Sequence, residues 1–170
     1  VKGLEPAGYE PRVLKGMGLS YAISDRGACH LRATFYRPEL DGIIAPDQVE
    51  GKAELYADYE DRLTIFDSLI ICKFFRDLYL WEQLALIINA ITGMELDEGQ
   101  LKGIASNIGN KVREFNLREG MRKTDETLPR RFLEEKLEDS GKLLPRTDFD
   151  RMLSDYYRLR GWSEPPSAGV

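Results

Sequence analysis

Along this chain apolar residues recur at the spacing of a helix, and no stretch alternates as a strand would. From about Gln48 to Ile70, the positions Leu55, Tyr59, Leu63, Phe66 and Ile70 fall at steps of three and four, which predicts one long helix with one apolar face. The segment from Trp81 to Ile91 is apolar almost all round, so it reads as a helix buried in the middle of a bundle and stopped by Gly93. Asp97 predicts the N-cap of a further helix with a stripe of Leu101, Ile104, Ala105, Ile108, Val112 and Phe115, closed by Gly120. Residues 121–130 read as charged loop, and LPRRFLEEKL as a short amphipathic turn of helix. Thr147 reads as the cap of a last helix that turns Phe149, Met152, Leu153 and Tyr156 inward.

The N-terminal part is harder to pattern. Residues 1–18 are rich in glycine and proline and read as a connecting loop, followed by a short helix from about Leu19 to Ser24. Residues 27–47 hold Pro38, Asp41-Gly42 and Pro46 and read mostly as loop. The expected fold class is therefore all-α, an irregular bundle of four to six helices with long functional loops and no internal repeat. Residues 1–170 are expected to form a single all-helical domain, with residues 163–170 as a flexible tail. The chain opens at Val1 on a loop-like VKGLEPAGYEP, which reads as the start of a piece of a longer protein.

Length and charge narrow the classes. A chain of 170 residues buries roughly 70% of its unfolded surface, so its core needs neither disulfides nor a metal. With 24 basic against 29 acidic residues the net charge is -5, which argues against nucleic acid and against an anionic membrane as partners. The longest apolar run falls far short of the roughly 20 residues of a membrane span. Two cysteines, Cys29 and Cys72, are no disulfide framework, and a reducing cytoplasm is the expected compartment.

The chemistry concentrates in two places. Gly8 to Ala33 carries glycines, a cysteine and the single histidine where a packing helix would carry leucines. His30 is the one unperturbed side chain whose proton exchanges near neutral pH, and a lone histidine is as readily a hydrogen-bonded structural residue. The second place is Asp67-Ser-Leu-Ile-Ile-Cys72, where a carboxylate and a thiol flank the end of a predicted helix. An iron-sulfur cluster takes about four thiolates, so this chain cannot house one alone. On residue chemistry by itself, Cys72 is a small buried residue at a helix end and Asp67 a solvated one. Cys29, His30 and Cys72 lack the paired spacing of a zinc motif.

Arg26-Gly-Ala-Cys-His-Leu-Arg32, taken with Asp67 to Cys72, resembles the aldehyde ferredoxin oxidoreductase family, whose members carry a tungsten or molybdenum pterin cofactor and an iron-sulfur cluster. Asn116-Leu-Arg-Glu-Gly120, Leu128-Pro129 and Tyr156 to Trp162 extend the likeness over about Gly8 to Trp162. The resemblance implies that the chain corresponds to the C-terminal helical portion of such an enzyme. It implies that His30 lies in the substrate pocket, that Asp67 binds a pterin, and that Cys72 is the fourth cysteine of a 4Fe-4S cluster. Ile70 and Ile71 stand where the family has glycine and leucine, with the apolar cofactor contact kept at Ile71. Cys29 is not the cluster ligand in that arrangement, and Trp162 with the nearby tyrosines seals the core.

The activity implied by the resemblance is oxidation of aldehydes to carboxylic acids, with electrons passed through the cluster to ferredoxin. The bis-pterin metal and three cluster cysteines would belong to an N-terminal cofactor-binding domain of the same chain, so this piece alone is expected to bind no cofactor and to be inactive. The competing expectation is a free-standing helical scaffold or partner-binding module in which the site residues are relics. A CxxCxxxC segment encoded upstream of Val1 separates the two.

Overall fold

The computed structural model describes residues 1–163. Among them the chain is all-α, with helices α1 (Lys15–Ile23), α2 (Tyr36–Leu40), α3 (Lys52–Ser68), α4 (Trp81–Thr92), α5 (Glu98–Arg118), α6 (Arg130–Glu134) and α7 (Arg146–Arg160) and two single turns of tighter helix at Lys73–Phe75 and Lys123–Asp125. Helix α3 is the axis, packing against α1, α5 and α7.

Two apolar clusters meet along α3. Its N-terminal half contributes Ala53 and Tyr56 to a larger core with α1, Phe35, Leu128, Leu144 and the inner face of α7. Its C-terminal half contributes Leu63, Ile65 and Phe66 to a smaller core with Trp81, Leu84 and Ile88 of α4 and Leu101 and Ala105 of α5. The expected inward set of α7, Phe149, Met152, Leu153 and Tyr156, is buried. Trp162 packs edge-on against Tyr156 and Tyr157, as a core seal should. Asp97 caps α5 as expected: its Oδ1 accepts from the Gln100 N–H at 2.8 Å, and the Gln100 side chain accepts from the Asp97 N–H at 2.9 Å.

Several expectations are corrected. Helix α1 begins at Lys15, inside the segment that reads as a connecting loop over residues 1–18. Its glycines serve close packing rather than a turn, since a Cβ on Gly16 would lie 2.3 Å from the Phe35 ring and one on Gly18 2.6 Å from Leu144. A short helix, α2, occupies part of the 27–47 stretch that reads as loop. Helix α4 is not in the middle of the bundle: Leu86 and Ile91 are 62% and 77% exposed, and only one face, through Trp81, Leu84, Ala85 and Ile88, is covered. Overall hydrophobicity misleads there because it does not say which neighbours exist. Pro145, not Thr147, precedes α7, consistent with a fixed φ near a helix start. The stripe of α5 is buried only at Leu101 and Ala105, with Ile104 and Phe115 exposed. Helix α3 ends at Ser68, so Ile70 leaves the helical face and points into solvent. The tail expected at 163–170 lies outside the described residues from 164 onward.

Candidate functional site

The RGACHLR segment lies in the loop between α1 and α2, and Asp67 in the last turn of α3. Folding brings them together. Arg32 donates from Nε and Nη2 to both carboxylate oxygens of Asp25, at 2.7 and 2.8 Å, and from Nη1 to Asp67 Oδ2 at 2.8 Å. Lys73 Nζ donates to the same Asp67 oxygen at 2.9 Å and to the Leu31 carbonyl at 2.8 Å. Two cations on one oxygen fix the Asp67 carboxylate by charge-assisted hydrogen bonds and leave its other oxygen free for a further donor.

His30 is half-buried beside a pair of tyrosines. Its ring centroid is 5.7 Å from that of Tyr9 and 6.4 Å from that of Tyr36, and the two phenol rings stack at 4.0 Å. Burial first, and then the positive charge of Arg26, hold the imidazole below its ordinary pKa. It is therefore neutral at pH 7 and able to accept a proton. Tyr9 and Tyr36 escape the sequence reading, because a tyrosine in a proline-rich loop, or at the start of a five-residue helix, carries no periodic signal.

The two cysteines separate. Cys29 is buried, and Arg26 Nη2 donates to its sulfur at 2.9 Å. Cys72 is exposed, at the turn between α3 and the single helical turn of Lys73–Phe75, which corrects the residue-level expectation of a buried thiol. Around it Ile71 is partly buried, packed on the smaller core, while Ile70 and Phe74 are 93% and 88% exposed. Ile70 adopts φ +58°, in the left-handed region that glycine favours. The backbone thus keeps the conformation of a glycine although the residue is a β-branched isoleucine.

Asp67 also borders a half-enclosed cavity of about 310 Å³ between α3, α5 and α7, whereas His30, Ile71 and Cys72 do not line it. Its polar wall holds five carboxylates, Asp25, Glu60, Asp61, Asp67 and Glu126, against three guanidiniums, Arg32, Arg113 and Arg160. Sequence reasoning does not single out Glu60 or Asp61; their helical spacing to Asp67 is the signal that could have found them. No cluster of three or more histidine, cysteine or acidic side chains among the described residues could hold a metal ion. No helix among them is long and apolar enough to cross a membrane.

The family model described as aldehyde ferredoxin oxidoreductase, domains 2 and 3, matches residues 1–167. The chain belongs to the aldehyde ferredoxin oxidoreductase family. Among curated proteins it is 33% identical to the tungsten-containing aldehyde ferredoxin oxidoreductase of Pyrococcus furiosus and 32% identical to that of Thermococcus kodakarensis, each match covering 96% of this chain. The chain spans 28% of the length of these relatives and corresponds to their C-terminal portion.

Proposed function

We propose that this chain is the C-terminal part of an aldehyde:ferredoxin oxidoreductase that oxidises aldehydes to carboxylic acids in the cytoplasm. The observation that carries the reading is the Arg32–Asp67–Lys73 network, which joins the histidine loop to the Asp67–Cys72 turn as a single unit. A tungsten or molybdenum pterin centre bound at Asp67 would supply two-electron oxidation of the aldehyde, and a 4Fe-4S cluster ligated in part by Cys72 would supply one-electron transfer to ferredoxin.

The residues of this chain divide the remaining work. Asp67, with one oxygen held by Arg32 and Lys73, presents the other to N–H donors of a pterin. Ile71 supplies an apolar contact beside it. Cys72 offers a solvent-facing sulfur as one ligand to iron, and the other cluster cysteines come from the N-terminal cofactor-binding domain of the full-length protein. His30, neutral at working pH, accepts a proton or orients the substrate carbonyl against the Tyr9–Tyr36 wall. The exposed apolar side chains around Cys72 suit burial beneath that domain.

The test is made on the full-length protein. Purified with its metals, it should reduce ferredoxin when given an aldehyde and release the carboxylic acid. Aldehyde-independent behaviour, or a full-length gene without further cluster cysteines, would favour the scaffold reading.

A further inference from the structure

Buried cations in this chain come paired. Arg12, Lys52, Arg113 and Arg160 each lie within 2.8 Å of a carboxylate oxygen, on Glu10, Glu39, Glu126 and Glu60 respectively. Two guanidiniums break the pattern. Arg62 and Arg76 are 4% and 7% exposed, yet Arg62 has no carboxylate within ion-pair distance among the described residues, and Arg76 has only the exposed Asp77, at 3.8 Å. Their hydrogen bonding is equally thin. Arg62 donates from Nη1 to the Arg76 carbonyl at 2.6 Å and Arg76 from Nη1 to the Lys73 carbonyl at 2.9 Å, while the Nε of each has no partner. A guanidinium carries five N–H donors, so most of each fork is left over. The Tyr59 ring face, 5.0 Å from Arg62 Cζ, offsets only part of the cost of withdrawing a cation from water.

The pair adjoins the histidine loop. Burial raises the pKa of the Tyr36 phenol, and the positive charges of Arg76 and Arg37 act against that rise, which sets Arg76 near the Tyr9–Tyr36 stack that faces His30. Arg76 itself sits under a turn whose Phe74, Phe75, Asp77 and Leu78 are exposed. Covering that turn with another domain takes more water from both cations and sharpens the need for an anionic partner. We propose that Arg62 and Arg76 form a binding site for a carboxylate that this chain does not itself supply. Planar guanidiniums meet a planar carboxylate through paired N–H donors, which a lysine cannot do. The carboxylate has two sources, an acidic side chain from the rest of the full-length protein or an acidic group carried by the aldehyde. The second source rests on the function proposed above; the site rests on the geometry of this chain.

Nitrogen-15 NMR of the arginine Nε–H groups tests the site in this chain. At constant ionic strength, millimolar acetate should shift the Arg62 and Arg76 resonances saturably where chloride does not. Arg62→Lys keeps the charge and loses the fork, so it should weaken acetate binding, followed at Arg76, by about tenfold. The full-length protein then separates the sources. If the aldehyde carries the carboxylate, Arg62→Gln should lower kcat/KM for a carboxylated aldehyde by about 10- to 100-fold relative to an uncharged aldehyde of equal length. If the protein supplies it, that ratio holds, and Arg62→Gln should lower the Tm of the full-length protein more than that of this chain. Arg76→Gln makes the same comparisons should Arg62→Gln fold poorly. An acetate response no different from that of chloride overturns the site, as does a variant in which neither the ratio nor the Tm difference departs from parental values. A full-length protein that oxidises no aldehyde overturns the proposed function alone, since the acetate response and the Tm comparison need no turnover.

Discussion

Arg32 donates from Nη1 to Asp67 Oδ2 at 2.8 Å, a hydrogen bond between residues 35 apart in sequence. It joins the loop that carries His30 to the helix end that precedes Cys72. Lys73 adds a second tie between the same two segments, through Asp67 and the Leu31 carbonyl. Arg32→Met should therefore loosen both together. Because the side chains are about one-third exposed, the expected loss of stability is about 1 kcal/mol. Urea unfolding gives the stability. Faster amide exchange in both the Arg26–Leu31 and Ser68–Lys73 segments, rather than in one, shows the coupling.

The two thiols differ in environment, and so should their chemistry. A water-soluble maleimide or disulfide reagent should modify exposed Cys72 much faster than buried Cys29 under native conditions. Peptide mapping after partial labelling decides it. Equal rates, or faster labelling of Cys29, would mean that the Ser68–Lys73 turn shields Cys72.

Ile70 holds a left-handed φ of +58° while nearly fully exposed. For a β-branched residue that conformation costs about 1–2 kcal/mol, and glycine recovers part of it against its greater unfolded-state entropy. Ile70→Gly should raise stability by up to about 1 kcal/mol, whereas Ile70→Val should leave it nearly unchanged. Thermal unfolding of the three proteins measures this.

Asp61 gives a pH prediction with a definite sign. Its folded pKa is pushed up to about 6 from the ordinary 3.8, chiefly by burial. Between those values the folded chain keeps a proton that the unfolded chain has released, so this group's contribution makes stability fall as pH rises through the window. Asp61→Asn avoids the charge. It should be more stable than the parent by about 2 kcal/mol near pH 7, with the difference vanishing below about pH 4. Urea unfolding at the two pH values is the check.

Much of this architecture is legible in the sequence. Helices α3, α5 and α7 carry enough periodic apolar residues to be found, and the Asp97 cap marks a boundary. Helix α1 is not legible, because Gly16 and Gly18 are there for contact with Phe35 and Leu144, partners that only the fold supplies. Helix α4 shows the reverse failure, since an apolar helix signals burial without saying what covers it. At the site, the short motifs locate His30, Asp67 and Cys72. They do not give the Tyr9–Tyr36 stack or the Arg32 hold on Asp67, which depend on approaches across tens of residues, nor the turn that brings Lys73, six residues on, back to the same carboxylate. Nor do they give the cavity, where Glu60 and Asp61 of α3 are partly covered by α5 and α7.

The central claim is that His30 serves the reaction while Cys72 serves the electron path. It is tested most directly by aldehyde-dependent ferredoxin reduction in the full-length protein, normalised to tungsten or molybdenum and iron content, for the parent, His30→Asn and Cys72→Ser. His30→Asn should keep its metals and lose a factor of about 100 to 10,000 in kcat. Cys72→Ser should lose iron and, with it, electron delivery to ferredoxin. Parental turnover in metal-replete His30→Asn, or a full complement of iron in Cys72→Ser, would contradict the account.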